Sequence, residues 1–157
     1  MEHQPTSKTF FYGSAINRLN SKGQVAIPKR FRDVVPPEER KQGFVLVMGE
    51  GSIYMYTHRQ FGMIKDRVRA EAERRNDPEF LRVFMENAHA VDIDNQGRFV
   101  LPLALRMVAG INEPEVLFVG MDDRIEIWAP EARRRQRQEG VEMAQHEKET
   151  ARTIFGI

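Results

Sequence analysis

The stretch Asn20-Ser21-Lys22-Gly23-Gln24-Val25-Ala26-Ile27-Pro28 returns later in the chain as Asp94-Asn95-Gln96-Gly97-Arg98-Phe99-Val100-Leu101-Pro102. The glycines stand 74 positions apart (97 − 23), and so do the prolines. An echo follows each copy: Val47 and Gly49 precede Ile53-Tyr54-Met55-Tyr56, and Val119-Gly120 precede Ile125-Glu126-Ile127-Trp128. There the spacing is 72 (125 − 53), a small slip absorbed by a turn. Self-similarity at a fixed period is the first thing that organises a fold.

Each copy reads as a strand, a polar turn closed by glycine, and a second strand, Gln24 to Ile27 or Arg98 to Leu101. Glycine supplies the positive φ that such a turn requires. Proline then ends the strand and suits the start of a short helix. These helices are predicted over 29–34 and 103–109, the second stopped by Gly110. Two further strands follow in each copy: Phe44 to Met48 and Ile53 to Tyr56 around Gly49-Glu50-Gly51-Ser52, then Val116 to Val119 and Ile125 to Trp128 around Met121-Asp122-Asp123. A unit this small buries little surface alone. Two in one chain imply that each covers the apolar face of the other.

Helices are expected between and after the copies. Thr57-His58-Arg59-Gln60 fits a capping box, with Phe61, Ile64, Val68 and Ala72 at helical spacing behind it. Asp77-Pro78-Glu79 reads as an N-cap and first turn, and Phe80, Leu81, Phe84, Met85 and Ala88 form one side of a second helix. Pro130-Glu131 opens a last helix, with order expected to fade beyond about Glu147.

The whole chain of 157 residues carries 24 Lys and Arg against 23 Asp and Glu, a net charge of +1. A uniformly basic coat is excluded, so any basic surface must come from clustering. With no cysteine, disulfides, thiolate catalysis and cysteine-based zinc sites are excluded. No apolar run is long enough to span a bilayer. Met1 to Lys8 is polar, so export is not expected.

The turn-Gly-strand-Pro-helix units resemble the swapped-hairpin units of the SpoVT-AbrB class. Two of them, with a helical pair between and a helix after, are similar to the MraZ family of bacterial regulators encoded with division and cell-wall genes. That resemblance implies an α+β chain with a mostly β core: a double-split β-barrel pseudo-dimer with an inter-repeat helical pair and a C-terminal helix. It divides the chain into repeats at 11–57 and 90–129, a connector at 58–89 and a C-terminal helix and tail at 130–157. It further implies a ring-shaped homo-oligomer, sequence-specific binding to double-stranded DNA with repeated short boxes in its own promoter, and a cytoplasmic, nucleoid-associated place. No cofactor, metal or membrane is implied. The family hallmark is Asp-x-x-x-Arg in each copy. The second copy has it as Asp94 to Arg98; the first has Asn20 and Gln24 at those positions.

The residue chemistry gives partial independent support for DNA. Over positions 1–37, Lys8, Arg18, Lys22, Lys29, Arg30 and Arg32 face only Glu2 and Asp33, six charges against two, or +4. Phosphate neutralisation supplies most non-specific DNA affinity, and Arg pairs bidentately with guanine. Arg98 is the candidate base reader, with Gln24 its weaker counterpart; Lys22, Lys29, Arg30, Arg32 and Arg18 are candidate backbone contacts. Asn20, Gly23, Asp94 and Gly97 are the turn residues. Other readings stand beside these. Lys22, Lys29 and Arg30 also read as solvated surface. Arg98 also reads as a partner of Asp94 that merely holds the turn, since between copies the acid–base pair becomes the amide pair Asn20 and Gln24 together. The Arg133–Arg137 run and Arg124 read as surface. Tyr54, Tyr56 and Trp128 read as core or interface.

An enzyme has no nameable site: His3, His58, His89 and His146 lack metal-ligand spacing, and Ser14 and Ser21 lack a nucleophile context. The alternative to a regulator is a swapped-hairpin interaction module, antitoxin-like or an adaptor, with residual DNA binding.

Overall fold

The computed structural model describes residues 10–139 and 148–155. Eight strands form: β1 (Ser14–Arg18), β2 (Gln24–Ala26), β3 (Phe44–Met48), β4 (Ile53–Thr57), β5 (Ala88–Val91), β6 (Arg98–Val100), β7 (Glu115–Met121) and β8 (Arg124–Trp128). Among residues 10–139, six helices accompany them: α1 (Lys29–Arg32), α2 (Pro37–Lys41), α3 (His58–Arg75), α4 (Pro78–Glu86), α5 (Leu103–Val108) and α6 (Pro130–Glu139). The fold is α+β with antiparallel pairing: a six-stranded sheet ordered β1-β7-β8-β4-β3-β5 and a two-stranded ribbon, β2-β6. No closed barrel is drawn by these pairings.

The two copies exchange strands. First-copy β1 pairs with second-copy β7, Ser14 opposite Val119. Second-copy β5 pairs with first-copy β3, Ala88 opposite Val47. These registers are the same under the repeat: 14 maps to 88 by 74, and 47 to 119 by 72. The hairpins β3–β4 and β7–β8 meet edge to edge through β4 and β8, with Tyr54 opposite Glu126. In the ribbon, Gln24 opposes Val100, Val25 opposes Phe99 and Ala26 opposes Arg98. Val25 and Phe99 are equivalent positions facing each other, and so are Tyr54 and Glu126. The internal two-fold therefore passes through both pairs.

Alternation along the strands explains the layers. Phe44, Leu46, Ile53 and Met55 of one hairpin and Val116, Phe118, Ile125 and Ile127 of the other turn inward. There they join Val25, Ile27, Phe99 and Leu101 from the ribbon in one buried cluster. Burying each such side chain contributes about 1.5–3 kcal/mol. The outer sheet face at Val45, Val47 and Tyr56 is also buried, beneath α3 and α4.

Local signals behave as the chemistry requires. Thr57 Oγ1 accepts from Gln60 N while Gln60 returns the bond, a complete capping box. Gly110 ends α5 with φ 71°. α1 stops at Arg32 instead of Val34: Val35 is buried and precedes Pro36, which disfavours helical backbone at Val35. α2 has no counterpart among the expected elements; Pro37 opens it at its first position. Asp77 holds the N-cap position of α4 but makes no capping bond. Ala88 belongs to β5 and not to α4, because pairing with Val47 overrides its helical preference. α6 begins at Pro130, 72 residues after His58 begins α3, so the duplication continues into the helices. Order is expected to fade beyond about Glu147, yet residues 148–155 are helical; residues 156–157 lie outside the described residues.

Phe99→Ala at the two-fold is expected to lower unfolding free energy by about 3–5 kcal/mol in a urea titration. Val100→Ala, next along the strand but facing outward, is expected to change it by less than about 0.5 kcal/mol.

Candidate nucleic-acid interface

The two glycine bends share one hydrogen-bond scheme. In the first, Asn20 Oδ1 accepts from the backbone of Lys22 and of Gln24, both at 2.9 Å, and Asn20 Nδ2 donates to Gln24 Oε1 at 3.0 Å. In the second, Asp94 Oδ1 accepts from Gln96 N at 2.9 Å and Arg98 N at 2.8 Å, and Arg98 Nε donates to Asp94 Oδ2 at 2.9 Å. The amide pair thus replaces the ion pair bond for bond. Arg98 holds its own turn, as one of the two sequence readings required. Its Nε is committed, while among the described residues its terminal nitrogens have no recorded partner.

Gly23 and Gly97 have φ of 76° and 78° and are buried, although Ser21, Lys22, Asn95 and Gln96 at the tips are exposed. What covers each glycine comes from the other copy. A Cβ on Gly97 would collide with Arg32, and one on Gly23 would stand 3.3 Å from Arg106 Nη2. Arg32 and Arg106 are themselves equivalent, 74 positions apart. Arg32 Nε donates to Ile27 O at 2.8 Å. Arg106 Nε is buried without a recorded partner among the described residues.

Because β2 and β6 run antiparallel, the bends sit at opposite ends of the ribbon, with Gln24, Ala26, Arg98 and Val100 on its outward side. Strand exchange divides the basic cluster that the sequence places around the first bend. Lys22 stays at that bend, beside α5. Arg32 belongs to the second bend, where a cleft of about 260 Å³ also gathers Arg40, Lys41 and Asp94. Arg40 and Lys41 lie beyond the sequence window that looked basic, and only α2 brings them to the bend. The remaining candidates have local partners. Lys29 Nζ is 2.7 Å from Asp33, and Arg18 Nη1 is 3.3 Å from Glu115. Arg30 donates to Ser14 O at 3.3 Å and lies over the Tyr12 ring. Such solvent-exposed pairs are weak and screened by salt, so phosphate can displace them. Lys8 and Glu2 of the charge count, and His3 and His146, lie outside the described residues.

Arg124 is a correction. It is partly buried rather than free surface: it bonds Glu126 at 2.8 Å and lies 4.1 Å from the Tyr54 ring centre. Glu126 is buried at the two-fold opposite Tyr54, so its charge needs that partner. Tyr56 and Trp128 are buried, as read from the sequence. The Arg133–Arg137 run lies on α6, with Arg133 over Trp128. Among the described residues no group of three His, Asp or Glu could hold a metal ion, and no helix is long and apolar enough to cross a membrane.

The backbone N–H of Arg98 first, then its side chain and the N–H of Gln96, hold the Asp94 carboxyl below its ordinary 3.8. The folded value is depressed, so this support for the second bend is complete above 3.8. It is lost as pH falls through the lower folded value. Asn20 has no such proton. In an NMR acid titration the Gly97 amide is expected to shift below pH 3.8 while Gly23 does not follow it; equal response of both would contradict the scheme.

Residues 84–155 match a family model described as "MraZ protein, putative antitoxin-like". A transcriptional regulator MraZ of Arthrobacter sp. (strain FB24) is 36% identical over 124 residues, covering 78% of this chain and 83% of that protein. One from Syntrophomonas wolfei is 37% identical over 123 residues, covering 77% and 82%. One from Clavibacter michiganensis is 36% identical over 120 residues, covering 75% and 80%. Identity at this level across three quarters of the chain, on a duplicated bend with reciprocal pairing, means that the chain belongs to the MraZ family.

Proposed function

We propose that this chain is a transcription regulator that binds double-stranded DNA through its two glycine bends. The target is the promoter of its own division and cell-wall gene cluster, read in the cytoplasm at the nucleoid. The observation that carries the reading is the exchanged ribbon: it displays both bend tips, with Lys22 at one end and Arg98, Arg32, Arg40 and Lys41 at the other. The reading needs no cofactor or catalytic group. Arg98 reads or positions a base with the nitrogens that Asp94 leaves over, Gln24 is its counterpart, and Lys22, Lys29, Arg30, Arg32 and Arg18 meet phosphates.

The finer architecture belongs to the same proposal. Reciprocal exchange of β1 and β5 and the two-fold ribbon support a double-split barrel pseudo-dimer, with repeats at 11–57 and 90–129, the helical pair at 58–89 and the C-terminal helix and tail at 130–157. One bend pair per chain binds weakly. Copies closed into a ring would engage repeated boxes together, and effective concentration would supply the affinity.

A second reading has one specific support. At the positions where the first copy has Ala26, Lys29, Asp33 and Val34, the second has Val100, Leu103, Met107 and Val108, 54 to 70% exposed. An apolar face beside the first bend suits a protein-interaction module with residual, sequence-blind DNA binding.

Fluorescence anisotropy with DNA from upstream of the chain's own gene separates the two. Arg98→Ala is expected to weaken binding by roughly 1–3 kcal/mol per site and to relax sequence preference. The Lys22→Ala/Lys29→Ala double variant should weaken all sequences alike and flatten the salt dependence. Unchanged affinities with assembly intact would remove these assignments; equal, salt-labile binding to any sequence would favour the interaction module.

A further inference from the structure

The outward side of the ribbon carries four side chains in two cross-strand pairs, Gln24 opposite Val100 and Arg98 opposite Ala26. Because β2 and β6 come from different copies, each pair takes one residue from each. Residues directly opposite on one face have Cβ atoms about 4.5–5.5 Å apart, so each pair makes one contact surface. The pairs stand two residues apart along the ribbon, about 7 Å, and so address different base pairs. Positions 24 and 98 are equivalent under the repeat, and so are 26 and 100. The internal two-fold therefore relates one pair to the other, and only their chemistry differs.

At the first bend, Gln24 Oε1 accepts from Asn20 Nδ2 at 3.0 Å. That bond occupies one lone pair and holds the amide in place. The second lone pair and the two protons on Nε2 have no recorded partner among the described residues. An acceptor beside a donor is the set that matches N6–H and N7 on the major-groove edge of adenine. Val100, next to it, is 54% exposed although Phe99 and Leu101 on either side are buried. In the same groove, the thymine paired with that adenine displays an apolar C5-methyl. The other pair follows the same logic with different atoms. Arg98 Nε bonds Asp94 Oδ2 at 2.9 Å, which leaves its terminal nitrogens for guanine. Its neighbour is Ala26, and cytosine, the partner of guanine, has no methyl to meet. In each pair, the small or branched side chain suits the complement of the base that its polar neighbour suits. A two-stranded ribbon fits the major groove, where these edges lie.

We propose that Val100 is a specificity-determining residue: its methyl groups pack on the C5-methyl of a thymine whose paired adenine is held by Gln24. One A·T pair is thus read jointly by the two copies at the first bend, where the hallmark arginine is missing. Arg98 and Ala26 read a G·C pair at the second. The assignment rests on the DNA-binding reading above and adds to it the base pair and the residue from the opposite copy.

Anisotropy titrations of the full chain with double-stranded DNA from upstream of its own gene provide the test. Uracil in place of thymine removes the C5-methyl and keeps every hydrogen-bonding group; it is placed at one thymine at a time. 7-Deazaadenine, which lacks N7, is placed at one adenine at a time. Loss of one thymine methyl in a box should weaken wild-type binding about fourfold, as expected for one methylene-sized group returned to water. The paired adenine should be a position where 7-deazaadenine also weakens binding. Val100→Ala alters an exposed position; it should cut the uracil penalty below about twofold and keep the 7-deazaadenine penalty. Gln24→Ala should lose the 7-deazaadenine penalty. A uracil penalty that persists in full in Val100→Ala, or that falls on a thymine whose paired adenine is insensitive, would overturn the assignment. Equal wild-type affinity for thymine and uracil duplexes, with upstream DNA still preferred to unrelated DNA, would overturn it and leave the DNA-binding reading standing. Equal, salt-labile binding to every sequence would remove both.

Discussion

Two backbone hydrogen bonds hold the copies in register. Ile27 N donates to Gly97 O at 2.8 Å, and Leu101 N donates to Gly23 O at 3.0 Å. Each bond runs from the end of one copy's ribbon strand to the bend glycine of the other. Neither copy can form its bend and strand in this arrangement without its counterpart. The exchange of β1 and β5, the burial of Val25 against Phe99 and the Arg32 and Arg106 covers all follow from that mutual dependence. A left-handed glycine is required at each bend because φ is positive, and at Gly97 also because Arg32 stands where a side chain would be.

The same constraint shapes the surface. Since the bends lie at opposite ends of the ribbon, each neighbours the other copy's short helix. The second bend therefore gains α1 and α2, with Arg32, Arg40 and Lys41. The first gains α5, with its apolar outer face. Duplication without identity has given two ends of one scaffold different chemistry. The first is amide-held and partly apolar, and the second is ion-paired and basic.

Much of this was legible in the sequence. The 74-residue repeat located both bends, their glycines, the flanking strands and the short helices. The paired change from Asp94 and Arg98 to Asn20 and Gln24 pointed to a side-chain contact across the turn, and that contact is present in both copies. The exchange of strands was not legible in the residue pattern, which is the same whether a strand pairs within its copy or across; only the resemblance to swapped-hairpin units implied it. Arg40 and Lys41 were missed for that reason: their place depends on where α2 lands and not on their neighbours in sequence. Arg124 was misread because its burial is set by Glu126 on the same strand and Tyr54 across the two-fold. Ala88 was assigned to a helix on intrinsic preference, which pairing to Val47 overrode. The continuation of the repeat into α3 and α6 left almost no trace, since Phe61 and Ile64 have only polar residues at the corresponding places in the second copy.

The measurement that bears most directly on the account is an NMR map of the full chain titrated with double-stranded DNA from upstream of its own gene. Amide shifts should concentrate at Ser21, Lys22 and Gly23, at Asn95 to Arg98, and at Arg40 and Lys41, the residues that strand exchange gathers at the ends of the ribbon. Shifts confined to α3, α4 and α6, with both bends silent, would contradict it.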